Sequence, residues 1–152
     1  GTRLLLETLA VPDGARVLDA CCGYGPIGVF AAATAECSVV LTDDDRRATR
    51  CAERSLDRTD LRDGSETTVV TGDCTEAVAG HTFDLVATNP PTHAGSGVLA
   101  ELFAGIHDVL APDGECLFVR HEALDLAPQL RRFDAVETVA TGEEHVVRRA
   151  LP

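Results

Sequence analysis

Apolar and polar positions alternate along this chain in two registers. Short runs rich in aliphatic and β-branched residues, at about 15–20, 37–42, 67–71, 83–88, 114–120, 135–140 and 145–150, read as seven strands, and the segments between them as helices. The best-marked helix is Gly97 to Leu110. Its Val98, Leu102, Ile106, Val109 and Leu110 recur at helical spacing and predict a face turned to a core. A second, from Pro26 to Ala35, is rich in Ala and has Pro at its first position, where the missing N–H costs nothing. Asp113-Gly114 predicts a turn into the fifth strand, and Thr141-Gly142-Glu143 a tight hairpin between the last two. Strand and helix in alternation predict an α/β fold, a mostly parallel sheet with helices on both faces. No repeat or linker divides the chain, so residues 1–152 are expected to form one domain. That length buries roughly two thirds of the unfolded surface.

Chemistry concentrates at strand ends. After the first strand comes Asp19-Ala20-Cys21-Cys22-Gly23-Tyr24-Gly25-Pro26-Ile27-Gly28, a glycine turn opening a helix, where the backbone is expected to approach a ligand. Gly23, Gly25 and Gly28 also match the dinucleotide fingerprint, with Asp43 at the spacing of a ribose-binding carboxylate. Asp19 and Pro26 argue for a different ligand. A carboxylate beside the turn repels a pyrophosphate and attracts an ammonium or sulfonium, and Pro26 removes a helix N-terminal donor. After the fourth strand comes Asn89-Pro90-Pro91-Thr92. Two successive prolines force a stiff, extended turn, so that the Asn89 amide oxygen and a neighbouring carbonyl can accept both hydrogens of a planar amine. Of the other acidic residues near the second strand, Asp44 and Asp45 read as surface and helix cap.

In order and spacing, Gly1 to Leu6, Val17 to Gly28, Asp43 to Ala48, Gly72-Asp73-Cys74 and Asn89 to Gly95 resemble class I S-adenosylmethionine-dependent methyltransferases of the small-domain family. They are similar to the catalytic domains of ribosomal RNA guanine-N2 methyltransferases. The resemblance implies a Rossmann-like, seven-stranded sheet whose final strand is inserted antiparallel. It implies S-adenosyl-L-methionine as cofactor, held by Asp19, Cys21, Gly23, Gly25, Asp43, Asp73, Cys74 and Asn89. Asp43 would bind the ribose and Asp73 the adenine amine. Asn89, Pro90 and Pro91 would be catalytic, with Thr92 and His93 toward an RNA substrate. The chain departs from the family pattern at Cys21, where glycine is usual, and at Thr92, where an aromatic is usual. Either the backbone avoids positive φ at Cys21 or it tolerates strain there.

Charge qualifies the RNA expectation. The chain has 25 acidic residues against 13 basic ones, all Arg, for a net charge of −12. Such a balance disfavours a polyanion at ordinary salt. An acidic, lysine-free chain of normal apolar content, however, resembles proteins of a high-salt cytoplasm, as in a halophilic archaeon, where screening suppresses the repulsion. Six cysteines at 21, 22, 37, 51, 74 and 116 show no C-x-x-C pair and no His at ligand spacing, so no metal site is expected and free thiols in a reducing cytoplasm are. No apolar run approaches the roughly 20 residues of a membrane span. The chain starts at Gly1 and contains no Met, which suggests a trimmed reading frame. Three other readings stay open: methylation of a protein glutamine, a silent cofactor-binding module, and, least favoured on charge, a nicotinamide dehydrogenase.

Overall fold

The computed structural model describes residues Gly1–Pro152. In chain order the elements are α1 (Thr2–Thr8), β1 (Arg16–Ala20), α2 (Pro26–Thr34), β2 (Ser38–Asp43), α3 (Arg46–Asp57), β3 (Glu66–Thr71), β4 (Phe83–Thr88), α4 (Ser96–Val109), β5 (Leu110–His121), β6 (Ala135–Thr141) and β7 (His145–Leu151), with a short 3-10 turn at Glu76–Val78. All seven expected strands form, and they make one sheet in the order β3-β2-β1-β4-β5-β7-β6. The first five pair in parallel, and β7 enters antiparallel between β5 and β6. The architecture is therefore the expected Rossmann-like one. No helix is long and apolar enough to cross a membrane.

The two-residue period of the strands explains why both faces are covered. Val17, Leu85 and Leu117 point to one face and pack with Leu5, Ile27, Ala31 and Leu56. Their neighbours Leu18, Val86 and Phe118 point to the other and pack with Leu102, Phe103, Ile106 and Phe133. Central strands buried on both sides must read as continuous apolar runs, as these do. The Phe103 and Phe118 rings meet edge to face at 4.9 Å.

Two expectations about the α4–β5 region are corrected. Leu110 does not end the helix but begins β5, and Asp113-Gly114 does not form a turn but lies inside that strand. The parallel register of β4 with β5 shifts between Phe83 and Leu85, which draws the backbones together at this point. A Cβ at position 114 would lie 3.0 Å from the Phe83 carbonyl oxygen, so glycine serves close approach here. Val98, expected in the core, is 45% exposed. The 142–144 connection does form the expected hairpin, closed by the Gly142 N–H donating to the His145 carbonyl at 2.8 Å.

Gly28 shows how tightly α2 lies on the sheet. It is buried, and a Cβ there would stand 2.6 Å from the Leu41 side chain on β2. Gly28→Ala is expected to destabilise the protein by about 1–3 kcal/mol, the cost of overpacking a filled core. Urea unfolding measures this, and an unchanged midpoint would mean that α2 can lift off β2 freely.

Candidate active site

Strand order reverses between β1 and β4, and the carboxyl ends of the parallel strands there open a crevice, the usual ligand position in such sheets. A cleft of about 470 Å³ occupies it. Cys21 after β1, Asp43 at the end of β2 and Asp44 after it, Asp73 and Cys74 after β3, and Asn89 and Pro91 after β4 form its walls. The approach to α4 and its first turns supply the rest, Ala94, Val98, Glu101 and Leu102. A hollow of about 530 Å³ between α1 and the β6–β7 hairpin is larger, but Leu4 is its one apolar lining residue. It lacks the mixed wall that a ligand site needs.

Buried threonines tie the loops around the cleft to the strand ends. The Thr42 carbonyl at the end of β2 accepts from the Cys22 N–H at 2.9 Å, and the Thr42 hydroxyl donates to the Cys74 carbonyl at 2.7 Å. The Thr88 hydroxyl at the end of β4 donates to the Ala20 carbonyl at 2.6 Å. Each loop thus leaves its strand on a fixed path.

The glycine turn is held by two carboxylates. Asp19 is completely buried beneath it, and its Oδ2 accepts the Gly28 N–H at 2.8 Å. Asp43 lies beside it, with Oδ2 accepting the Gly23 N–H at 2.8 Å and Oδ1 the Asp45 N–H at 3.0 Å. Asp43 lines the cleft, and each of its oxygens keeps a second lone pair. Pro26 has no N–H, and Asp19 has taken that of Gly28, so the start of α2 offers little to an anion. The expectation that Asp19 lines the ligand site is corrected: it supports the turn from within. Its Oδ1 has no hydrogen-bond partner, and burial pushes its pKa up to about 7, against the Gly28 bond that lowers it.

Cys21 takes the strained alternative. Its φ is +57°, the one non-glycine residue in the left-handed region. Free thiols throughout are not what the fold gives: Cys21 and Cys74 form a disulfide, their Cα atoms 5.5 Å apart, because the loops after β1 and β3 converge at the cleft floor. Cys22, Cys37 and Cys116 are free and buried, and Cys51 is free and exposed.

At the other end, Asn89 is exposed on the cleft wall, and its Nδ2 donates to the Thr2 hydroxyl of α1 at 2.9 Å. The amide oxygen stays free. Pro90 is buried, and its carbonyl accepts the Thr92 N–H at 2.8 Å, which partly occupies an acceptor expected for the substrate. Thr92 and His93 are not part of the cleft wall, nor are Gly23 and Gly25, which shape the turn without lining the space. Sequence reasoning did not single out Thr2, Thr42, Thr88 or Glu101. Glu101 follows Val98 by one helical turn, and that spacing was its one signal. Asp45 caps α3 as expected, accepting the Arg47 N–H. The cleft therefore joins four carboxylates, no basic side chain and an apolar patch. This set suits a neutral nucleoside joined to a cationic group and repels a diphosphate.

Residues 1–149 match the methyltransferase small domain. Over 99% of its length the chain is 32% identical to the ribosomal RNA large subunit methyltransferase G of Streptomyces griseus and 27% identical to that of Aeromonas hydrophila. It spans 41% of the length of each. Over 97% of the chain, the fold superposes with a TM-score of 0.85 on the Thermus thermophilus 16S rRNA N2 G1207 methyltransferase, solved with AdoMet and guanosine; the two are 28% identical, and 42% of that protein is covered.

Burial of Asp19 gives stability a pH dependence. In the unfolded chain the carboxyl titrates near 3.8, in the fold near 7, so the fold favours the protonated form. The stabilising contribution is full below pH 3.8, declines as pH rises, and is lost above about 7. Asp19→Asn keeps an acceptor for Gly28 and removes the charge. Relative to the parent, this variant is expected to gain up to roughly 4 kcal/mol between pH 4 and 8. Denaturant midpoints across that range measure the gain, and a constant difference would refute Asp19 as the titrating group.

Proposed function

The chain belongs to the methyltransferase small domain family, and on that premise we propose that residues 1–152 are a catalytic domain that transfers the methyl of S-adenosyl-L-methionine to the exocyclic amine of a guanine in ribosomal RNA. One observation carries the reading: Asn89 stands on the wall of an acidic cleft with its N–H group held by Thr2 and its amide oxygen free. The residues fit the cofactor. Asp43 would accept the ribose hydroxyls on its open lone pairs and Asp73 the adenine amine, and the Cys21 to Gly25 turn, supported from below by Asp19, would hold the methionine end. Bound there, the cofactor supplies a methyl group on a positively charged sulfur, which needs alignment more than activation.

Asn89 supplies the alignment. A guanine amine is planar because its lone pair is delocalised, and attack requires that nitrogen to pyramidalise. An acceptor fixed on one of its hydrogens favours the bent geometry over the flat one, so it lowers the barrier rather than merely binding. Thr2 orients the amide so that oxygen, not nitrogen, meets the amine. The Pro90 carbonyl has one lone pair left for the second hydrogen, which makes Asn89 the principal acceptor. A ribosomal RNA substrate supports a cytoplasmic location, and the acidic, lysine-free composition supports the high-salt cytoplasm of a halophilic archaeon.

Transfer of labelled methyl from S-adenosyl-L-methionine to rRNA lacking native methylation tests this. Asn89→Ala is expected to slow transfer by about 10²–10³-fold with cofactor affinity almost unchanged. Thr2→Val slows it by about tenfold, the loss of one orienting hydrogen bond. Asp43→Ala instead weakens cofactor binding, by about 1.5–3 kcal/mol. Label that appears in protein glutamine and not in guanine would overturn the RNA assignment. Melting temperature is expected to rise with KCl from low to molar concentration, as carboxylate repulsion is screened. A flat or falling trend would refute the high-salt reading.

A further inference from the structure

Five of the 13 arginines, Arg46, Arg47, Arg50, Arg54 and Arg58, lie on α3 or at its C-cap, all exposed. At about 100° per residue they fall within one arc of about 120°. The opposite side of the helix, Thr49, Ala52 and Leu56, is buried against the sheet. With Glu53 and Asp57 the segment carries a net charge of +3 in a chain of −12.

Of the eight arginines elsewhere, Arg62 and Arg131 stand alone and six find partners: Arg3, Arg16, Arg132 and Arg149 pair with carboxylates, and Arg120 and Arg148 donate to backbone carbonyls. None of the five on α3 does either, although Glu53 and Asp57 share their helix. An uncompensated row of fork-shaped donors suits phosphates.

A second feature adjoins the row. Tyr24, the one tyrosine, is 64% exposed in the glycine turn, and its carbonyl accepts the Ser55 hydroxyl of α3 at 3.0 Å. A shallow hollow of about 290 Å³ lies beside it, lined by Cys51, Arg54, Ser55 and Arg58. Arginines along one face and an exposed ring next to them are the two parts of a single-strand nucleic-acid platform, charge for the backbone and a flat surface for a base. Asp45, the cap of α3, follows directly on cleft residues Asp43 and Asp44, so the row starts at the cleft mouth.

We propose that the arginine face of α3, together with Tyr24, is the docking surface for single-stranded RNA whose target base enters the cleft. This rests on the RNA reading above. It also resolves how a chain of net negative charge can hold a polyanion: the attraction is local, because Glu53 and Asp57 offset only two of the five arginines and leave this segment at +3.

The test is binding of a fluorescent single-stranded rRNA fragment across a range of KCl concentrations. The variant Arg50→Gln/Arg54→Gln/Arg58→Gln is expected to reduce the slope of log affinity against log salt by about 2, since each phosphate contact on a single strand contributes about 0.7. Lysine at the same three positions keeps the slope. Tyr24→Ala weakens RNA binding by about tenfold. S-adenosylhomocysteine affinity and the melting temperature of the glutamine variant stay as in the parent. If the parent binds and methylates RNA and the glutamine variant does so with the same slope, the surface assignment is wrong and the methyltransferase reading stands. If the parent neither binds nor methylates RNA, the reading beneath it fails. Loss of binding to an acidic peptide instead of RNA would assign the face to a protein partner and overturn the proposal.

Discussion

Two carboxylates hold the turn after β1, and the cleft depends on them. Asp19 fixes the start of α2 from inside the sheet, and Asp43 fixes Gly23 from the side while also holding the first residues before α3. A turn tethered at both ends cannot swing into the crevice, so the space between the strand ends stays open. The same bonds set the ligand class. Asp19 consumes a helix N-terminal donor that a phosphate would have used, and Asp43 presents negative charge to whatever lies beside it. Geometry and selectivity come from one arrangement, at the cost of burying a carboxyl group.

The other cleft walls are held by unlike means. Thr42 binds a neighbouring loop and Thr88 the end of β1 by buried hydroxyl bonds, which must be made once the groups are out of water. Cys21 and Cys74 join two loops covalently, and Cys21 adopts a left-handed backbone that glycine would take more easily. The Asn89 wall leans on α1 through Thr2, so a residue far away in sequence sets the orientation of the amide.

Charge is segregated over the surface. The cleft gathers Asp43, Asp44, Asp73 and Glu101, while the outer face of α3 gathers unpaired arginines. Net charge alone therefore says little about partners, because a contact at 4 Å is governed by the groups nearby and distant ones are screened. A negatively charged cleft and a positively charged flank coexist because the arginines run along the outer face of α3 and the carboxylates line the strand ends.

The apolar pattern alone determined most of the architecture. The seven strands lie within a few residues of their expected bounds, because alternation and continuous apolar runs follow directly from which faces are buried. It also placed Asp43, Asp73 and the Asn89 turn at the ends of strands, while their roles toward a ligand came from the resemblance and not from the pattern. Local pattern failed where distant segments meet. Asp113-Gly114 reads as a turn by composition, but it lies in β5 where the backbone passes close to β4. Val98 shares the helical spacing of core residues, yet it faces the cleft. Asp19 reads as a ligand carboxylate and proves to be buried support, because it sits in a central strand with the start of α2 bonded to it. The Cys21–Cys74 pair, the Thr2–Asn89 bond and the threonine ties join residues 53, 87, 32 and 68 positions apart. Periodicity registers which face a residue takes within its own element; which side chain it meets across the sheet edge is decided when the strands align, and tertiary structure alone carries that information.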